Sequence, residues 1–290
     1  MNIFNKKRKS TLPILSVDDK ISQYIDNGRI PWSIGYQEHK DISITKAIND
    51  SSLKQNILSE NLPENFGLGL DERIIEYPWI FSNLKNIEEK QILDAGSTFN
   101  FANILAQPIF KNNKLTIATY APESPNFNDL GISYVYTDLR DTPFKDNMFD
   151  MVVSHSTIEH IDMDNSIYGY DIDHVGEEKK SYDYLLAVKE YVRILNSEGQ
   201  LIITFPFGKF ENHGFFQQFD SEMLEKINDI LKEFGTFKLT FFQYKNNGWI
   251  FTSESDCKDV VSFNPHTGKG KAEDGAAHCR SICCINFTKK

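Results

Sequence analysis

Residues 91–106 read QILDAGSTFNFANILA, residues 114–124 read KLTIATYAPES, and residues 134–161 read YVYTDLRDTPFKDNMFDMVVSHSTIEHI. Each holds a short apolar run that ends in chemistry-capable groups: Asp94-Ala95-Gly96, then Tyr120, then Asp138. A fourth run, FDMVVSHS, follows at once. The first run is too short and too β-branched for a helix. That rhythm predicts a parallel α/β sheet whose strand ends face a ligand.

Working outward, NFANILAQPIF predicts the helix after the first strand, and PESPNFNDLG reads as a loop where a helix would be usual. SYDYLLAVKEYVRILN, residues 181–196, places Leu185, Val188, Val192 and Leu195 on one helical face, and Ser197-Glu198-Gly199 ends it. QLIITFPF is a fifth strand. DSEMLEKINDILKEFG predicts a capped helix closing at Gly235. FKLTFFQYKNNGWIF predicts two strands about an Asn-Gly turn. HCRSICCINFTK predicts a last strand, with Cys279, Ile282 or Cys283, and Ile285 in the sheet. Upstream, residues 1 to about 40 contain a strand or loop, then Gly28-Arg29-Ile30-Pro31-Trp32-Ser33. Asp50-Ser51-Ser52 caps a helix through LKQNILSE, and residues 70–86 form an amphipathic helix interrupted near Pro78 that lids or flanks the sheet.

The 290 residues suffice for one large decorated domain. A formal net charge of -10 gives no general attraction to phosphate backbones, so nucleic acid is not the favoured partner. No apolar run approaches the length of a membrane span, and no signal peptide is evident. Cys257, Cys279, Cys283 and Cys284 lack the paired spacing of a structural zinc site, so the expectation is no metal and free thiols in a reducing cytoplasm. The basic start, MNIFNKKRKS, reads as a solvated terminus.

In order and spacing, these segments resemble a class I S-adenosylmethionine (SAM)-dependent methyltransferase, most closely over about residues 88–208. LDAG at 93–96 resembles the acidic residue and glycine-rich turn of the first family motif. DTPFKDNMFDMVVSHSTIEHI resembles the loop-then-strand signature with a Glu-His pair after it, and EYVRILNSEGQLIITFPFG the helix, turn and fifth strand. The resemblance implies a Rossmann-like, doubly wound, mostly parallel sheet with an antiparallel C-terminal strand. It implies a methyltransferase domain over 88–290, preceded by an N-terminal extension of lid or flanking helices over 1–87.

SAM carries an amine, a carboxylate, a sulfonium, ribose hydroxyls and an adenine edge. A glycine turn lets backbone N–H groups approach its carboxylate end. Asp94 is expected to orient that turn and reach the amine directly or through water. Asp138 is expected to accept from the adenine amino group, with the Leu139 N–H facing a ring nitrogen. The family turn has three glycines; here Gly96 stands, with Thr98 and Asn100 at the other two positions. Asn100 is expected to tolerate positive φ in glycine's place, and the Thr98 hydroxyl to bond the ligand. The acid after strand two is replaced by Tyr120, with Glu123 three residues on.

Methyl transfer needs proximity, and a base where the acceptor is a hydroxyl. The expected catalytic residues are His213, after strand five, and Glu159 and His160, after strand four. A metal reading of Glu159, His160 and His213 is open but not favoured, because Ser156 replaces the first Glu of the E-x-x-E-H pattern. Residues 165–181 with Phe207, Phe210, Phe215, Phe216 and Trp249 are expected to build an acceptor pocket suited to a sugar. PFGKFENHGFFQQFD and the NGW turn are similar to methyltransferases of bacterial surface-polysaccharide biosynthesis. The reading is therefore a cytoplasmic O-methyltransferase acting on a sugar or glycan hydroxyl, associated with glycan-assembly enzymes. Its alternatives are a metal-assisted enzyme acting on a small diol or an RNA 3′ end, and a non-catalytic methyltransferase-like partner.

Overall fold

The computed structural model describes residues 15–166 and 179–290. The basic start and most of the 165–181 insert lie outside the described residues. Four helices precede the first strand: α1 (Val17–Asp26), α2 (Tyr36–Asn49), α3 (Ser51–Leu58) and α4 (Arg73–Asn83). Among the described residues of this region, 17–26 are helical rather than strand, and 27–35 form turns and loop. Ser16 caps α1 with a capping box, and Asp50 caps α3 by accepting from the Ser52 and Leu53 amides. Pro78 does not interrupt α4; it is carried within the helix.

The strands are β1 (Gln91–Ala95), β2 (Lys114–Thr119), β3 (Ser133–Tyr136), β4 (Phe149–His155) and β5 (Leu195–Pro206). Two-residue β6 (Glu211–Asn212) and β7 (Gln217–Gln218) pair only with each other. β8 (Gly235–Lys245), β9 (Gly248–Thr252) and β10 (Ser281–Lys289) complete the set. The predicted helix after β1 shrinks to α5 (Ala102–Leu105) and a 3-10 turn at Pro108–Phe110, because Pro108 cannot donate within a helix. α6 (Tyr184–Ile194), α7 (Ser221–Phe234) and short α8 (Glu254–Cys257) follow. Asp220 caps α7 by accepting from the Met223 amide.

The eight-stranded sheet has the order β3-β2-β1-β4-β5-β10-β8-β9. The first five strands are parallel, while β10 is antiparallel to both β5 and β8. This is a mostly parallel Rossmann-like sheet with an antiparallel C-terminal strand. Cys279 falls just before that strand rather than in it.

Alternation along each strand feeds two cores. Ile92, Ile117, Val153 and Ile202 face the side packed by α1–α4. Leu93, Ala118, Val152 and Ile203 face the side of α6 and α7. α4 is the innermost helix of its layer, burying Ile74, Ile75, Trp79 and Ile80, with its Glu76 fully buried as well. Trp249, Phe207 and Phe216, expected around an acceptor, are fully buried; Trp249 donates to the Leu70 carbonyl at 3.1 Å. Among the described residues no helix is long and apolar enough to cross a membrane.

Candidate active site

The strand order reverses between β1 and β4, where a doubly wound sheet opens a crevice at its carboxyl edge. A cleft of about 580 Å³ lies there, lined by the segments after β1, β2, β3 and β4. Gly96, Thr98, Tyr120, Asp138, Leu139 and His160 all line it. Asp94, Asn100, Glu159 and His213 do not.

Asp94 is fully buried behind the turn. Its Oδ2 accepts from the Phe99 amide at 2.7 Å, and its Oδ1 from the Thr98 amide and hydroxyl, each at 3.2 Å. Burial pushes its carboxyl up to about 7, against the pull of the Phe99 and Thr98 hydrogen bonds. Gly96 has φ +129, and a Cβ there would lie 2.0 Å from Thr157 Oγ1. Within this turn the non-glycine residue in left-handed conformation is Ser97, at φ 63; Asn100 has no positive φ. Asn100 instead accepts from the Tyr134 hydroxyl at 2.9 Å and donates to the Pro125 carbonyl. It braces the turn from behind.

Glu123 turns back toward β1. Its Oε2 accepts from the Ser97 hydroxyl at 2.7 Å and its Oε1 from the Thr119 hydroxyl at 3.2 Å. The carboxylate absent from position 120 thus reaches the cleft from three residues on. Asp138 takes a paired hydrogen bond from the Arg140 side chain, at 3.0 and 2.7 Å to Oδ2, and Arg140 also donates to Asp183 at 2.6 Å. Burial pushes the Asp138 carboxyl up, but the Arg140 bonds outweigh it and hold it below the usual range.

The far wall draws on α4. Arg73 lines the cleft and donates to Glu76 at 3.2 Å. Glu76 also accepts from the Ser156 hydroxyl at 2.5 Å and the Thr204 hydroxyl at 2.7 Å, and lies 3.0 Å from His155 Nε2. So the position where the E-x-x-E-H pattern has its first Glu holds Ser156, hydrogen-bonded to a carboxylate delivered from a helix 80 residues earlier. The sequence offered one signal of this: Glu76 sits within an apolar helical stretch.

His160 Nδ1 is 2.6 Å from the Phe215 carbonyl, and its ring stacks on Phe215 at 5.9 Å between centroids. Burial lowers its pKa to about 4, although the Phe215 carbonyl works the other way. Glu159 is buried, its carboxyl raised well above the usual range by desolvation, and its Oε2 has no hydrogen-bond partner. His213 is also buried, its ring parallel to Phe216 at 4.4 Å. Its Nε2 is 3.4 Å from Glu211 Oε2, without hydrogen-bond geometry. Burial lowers its pKa to about 3. The strand-five histidine therefore stands behind Phe216 and not at the cleft wall. Glu159, His160 and His213 do not converge as metal ligands. Among the described residues the trio whose ligand atoms do converge is Glu72, His278 and Cys279.

Fold and cleft together define a class: a doubly wound α/β protein with a small-ligand crevice at its switch point. Residues 111–203 match the family model described as a methyltransferase domain. No curated protein matches the chain. Among solved structures the chain is similar to YcgJ of Bacillus subtilis, at 12% identity and TM-score 0.43, covering 70% of this chain and 93% of that one. A SAM-dependent methyltransferase of Methanosarcina mazei gives 14% and 0.42, covering 73% and 97%. The 1,6-didemethyltoxoflavin-N1-methyltransferase of Burkholderia thailandensis, solved with 1,6-didemethyltoxoflavin and S-adenosylhomocysteine, gives 11% and 0.41, covering 96% and 93%. Over residues 111–203, then, the chain is similar to a methyltransferase domain.

Proposed function

We propose that this chain O-methylates a hydroxyl of a sugar or glycan acceptor. The observation that carries the reading is the ring platform beside the cleft: His160 stacks on Phe215, which also meets the exposed His266 edge-on at 5.3 Å. Planar rings suit the apolar face of a sugar, while Asp162 and Asn165 on the cleft rim suit its hydroxyls. Such an acceptor implies association with enzymes that assemble glycans.

The residues present fit the methyl donor. Gly96 leaves a cradle that any side chain would fill, and the cleft volume falls within the range of small-ligand sites. Gly96 and Thr98 would hold the amino-acid end, with Asp94 and Asn100 positioning the turn. Glu123 and Tyr120 would meet the ribose, and Asp138 and the Leu139 backbone the adenine. Bound SAM supplies a methyl group already activated on sulfonium, so the protein has to position the acceptor and manage its proton.

His160 is the base this geometry favours. A neutral ring whose Nδ1–H donates to the Phe215 carbonyl keeps its lone pair on Nε2, and burial keeps the ring neutral at pH 7. It can take the hydroxyl proton as the oxygen attacks. His213, behind Phe216, holds that phenyl ring in place.

The test incubates the full chain with labelled SAM and a panel of free sugars, nucleotide sugars, a catechol and an RNA oligonucleotide, followed by product identification. A methyl ether on a sugar hydroxyl is expected. His160→Gln should lower turnover about 10²–10⁴-fold with SAM affinity nearly unchanged. Methyl transfer only to nitrogen, to the catechol or to RNA would overturn the acceptor assignment.

A further inference from the structure

We propose that Glu72, His278 and Cys279 form a binding site for a divalent transition ion, zinc by donor chemistry. The trio is assembled by the fold across 206 residues of sequence: Glu72 stands just before α4, His278 and Cys279 just before β10. Cysteine spacing alone is blind to such a site.

His278 Nδ1 lies 2.9 Å from Glu72 Oε1 and 3.0 Å from Cys279 Sγ, and the three ligand atoms lie within 4.8 Å of one another. Donors sharing one tetrahedral zinc at ~2.0–2.3 Å stand roughly 3.3–3.6 Å apart, so opening by a few tenths of an ångström seats the ion. One carboxylate oxygen, one imidazole nitrogen and one thiol sulfur make a set that suits zinc and disfavours magnesium or calcium. The carboxylate is held ready for this: its other oxygen accepts from the Cys279 amide at 3.2 Å.

Further carboxyl groups surround the trio. Glu72, Glu76 and Glu159 are all buried and close enough for their fields to interact, and Arg73 is the guanidinium among them. Glu159 Oε2, moreover, has no hydrogen-bond partner and lies within the electrostatic reach of Cys279. A divalent ion at the trio would favour the charged form of the Glu76 and Glu159 carboxyl groups beside it. Three protein ligands leave a fourth position for water or an incoming heteroatom. The His278 ring lies 4.9 Å from Phe216, the neighbour of the platform residue Phe215. The inference does not depend on the acceptor being a sugar.

The test loads the full-length protein with zinc, removes excess by gel filtration and measures metal content. About one retained equivalent per chain is expected, with at least tenfold weaker retention in His278→Ala, a partly exposed position whose change the fold should tolerate. Cobalt loading should give a thiolate-to-metal charge-transfer band that Cys279→Ser abolishes. Circular dichroism of each variant verifies folding, and should Cys279→Ser not fold, loss of the band in His278→Ala serves in its place. Wild-type protein that retains no zinc, or a cobalt spectrum unchanged in both variants, would overturn the site. Because metal content is read without turnover, failure here and failure of the methyl-transfer assignment are distinguishable.

Discussion

Asp94 devotes both carboxylate oxygens to the turn that follows it, while Gly96 meets the opposing wall. Gly96→Ala would force a Cβ against Thr157 at a backbone angle that side chains rarely adopt. SAM affinity measured by calorimetry should fall at least tenfold, about 1.4 kcal/mol; an unchanged Kd would mean that the wall yields. The buried histidines make a pH prediction. His160 and His213 have folded pKa values near 4 and 3, below the unfolded value of 6.5. Above pH 6.5 neither state binds the proton and nothing is lost. As pH falls from 6.5 toward 4, the unfolded chain takes up protons that the folded chain refuses, so stability falls, by on the order of 1 kcal/mol per pH unit for each such histidine. Melting temperature should drop over that window, and His213→Gln should flatten the slope. Gly96, Thr98 and Asp138 at the cleft were legible because they follow strand ends, and strand ends are set by periodicity. Glu123 and Ser97 were not, because a loop's return path leaves no periodic trace.

At the level of elements, α4 departs furthest from its sequence reading. Pro78 lacks the amide that would bond Ile74, which is why a break was expected. Burial of Ile74, Trp79 and Ile80 against the sheet outweighs one missing bond. The helix also places Glu76 among His155, Ser156 and Thr204, joining β4 to β5 beneath the cleft. Glu76→Ala would leave Arg73 and those polar groups without their acceptor inside the protein. A loss of about 3–5 kcal/mol is expected in urea unfolding, with a smaller loss for Glu76→Gln, which retains an oxygen. The strands, by contrast, were legible because β1, β2, β4 and β5 are central and buried on both faces, leaving short uninterrupted apolar runs. Helix α5 was overread because its apolar residues continue past Pro108.

For the whole molecule, the division near residue 88 carries a measurable consequence. Tyr24, Ile44 and Ile80 of the N-terminal helices belong to the same apolar cluster as Ile92, Ile117 and Val153 of the sheet. A shared core predicts a single calorimetric transition for the full chain; two separate transitions would show that the helices and the sheet are independent domains. The sheet's order also bears on how the chain is made. β10, the latest strand in the sequence, sits between β5 and β8 and pairs with both along its length. While a ribosome is still synthesising residues up to 289, the two apolar strands it must join have already emerged with open edges. From completion of β8 until residues 281–289 are made, the nascent chain carries two unpaired strand edges, a window of aggregation risk and of demand for chaperone cover.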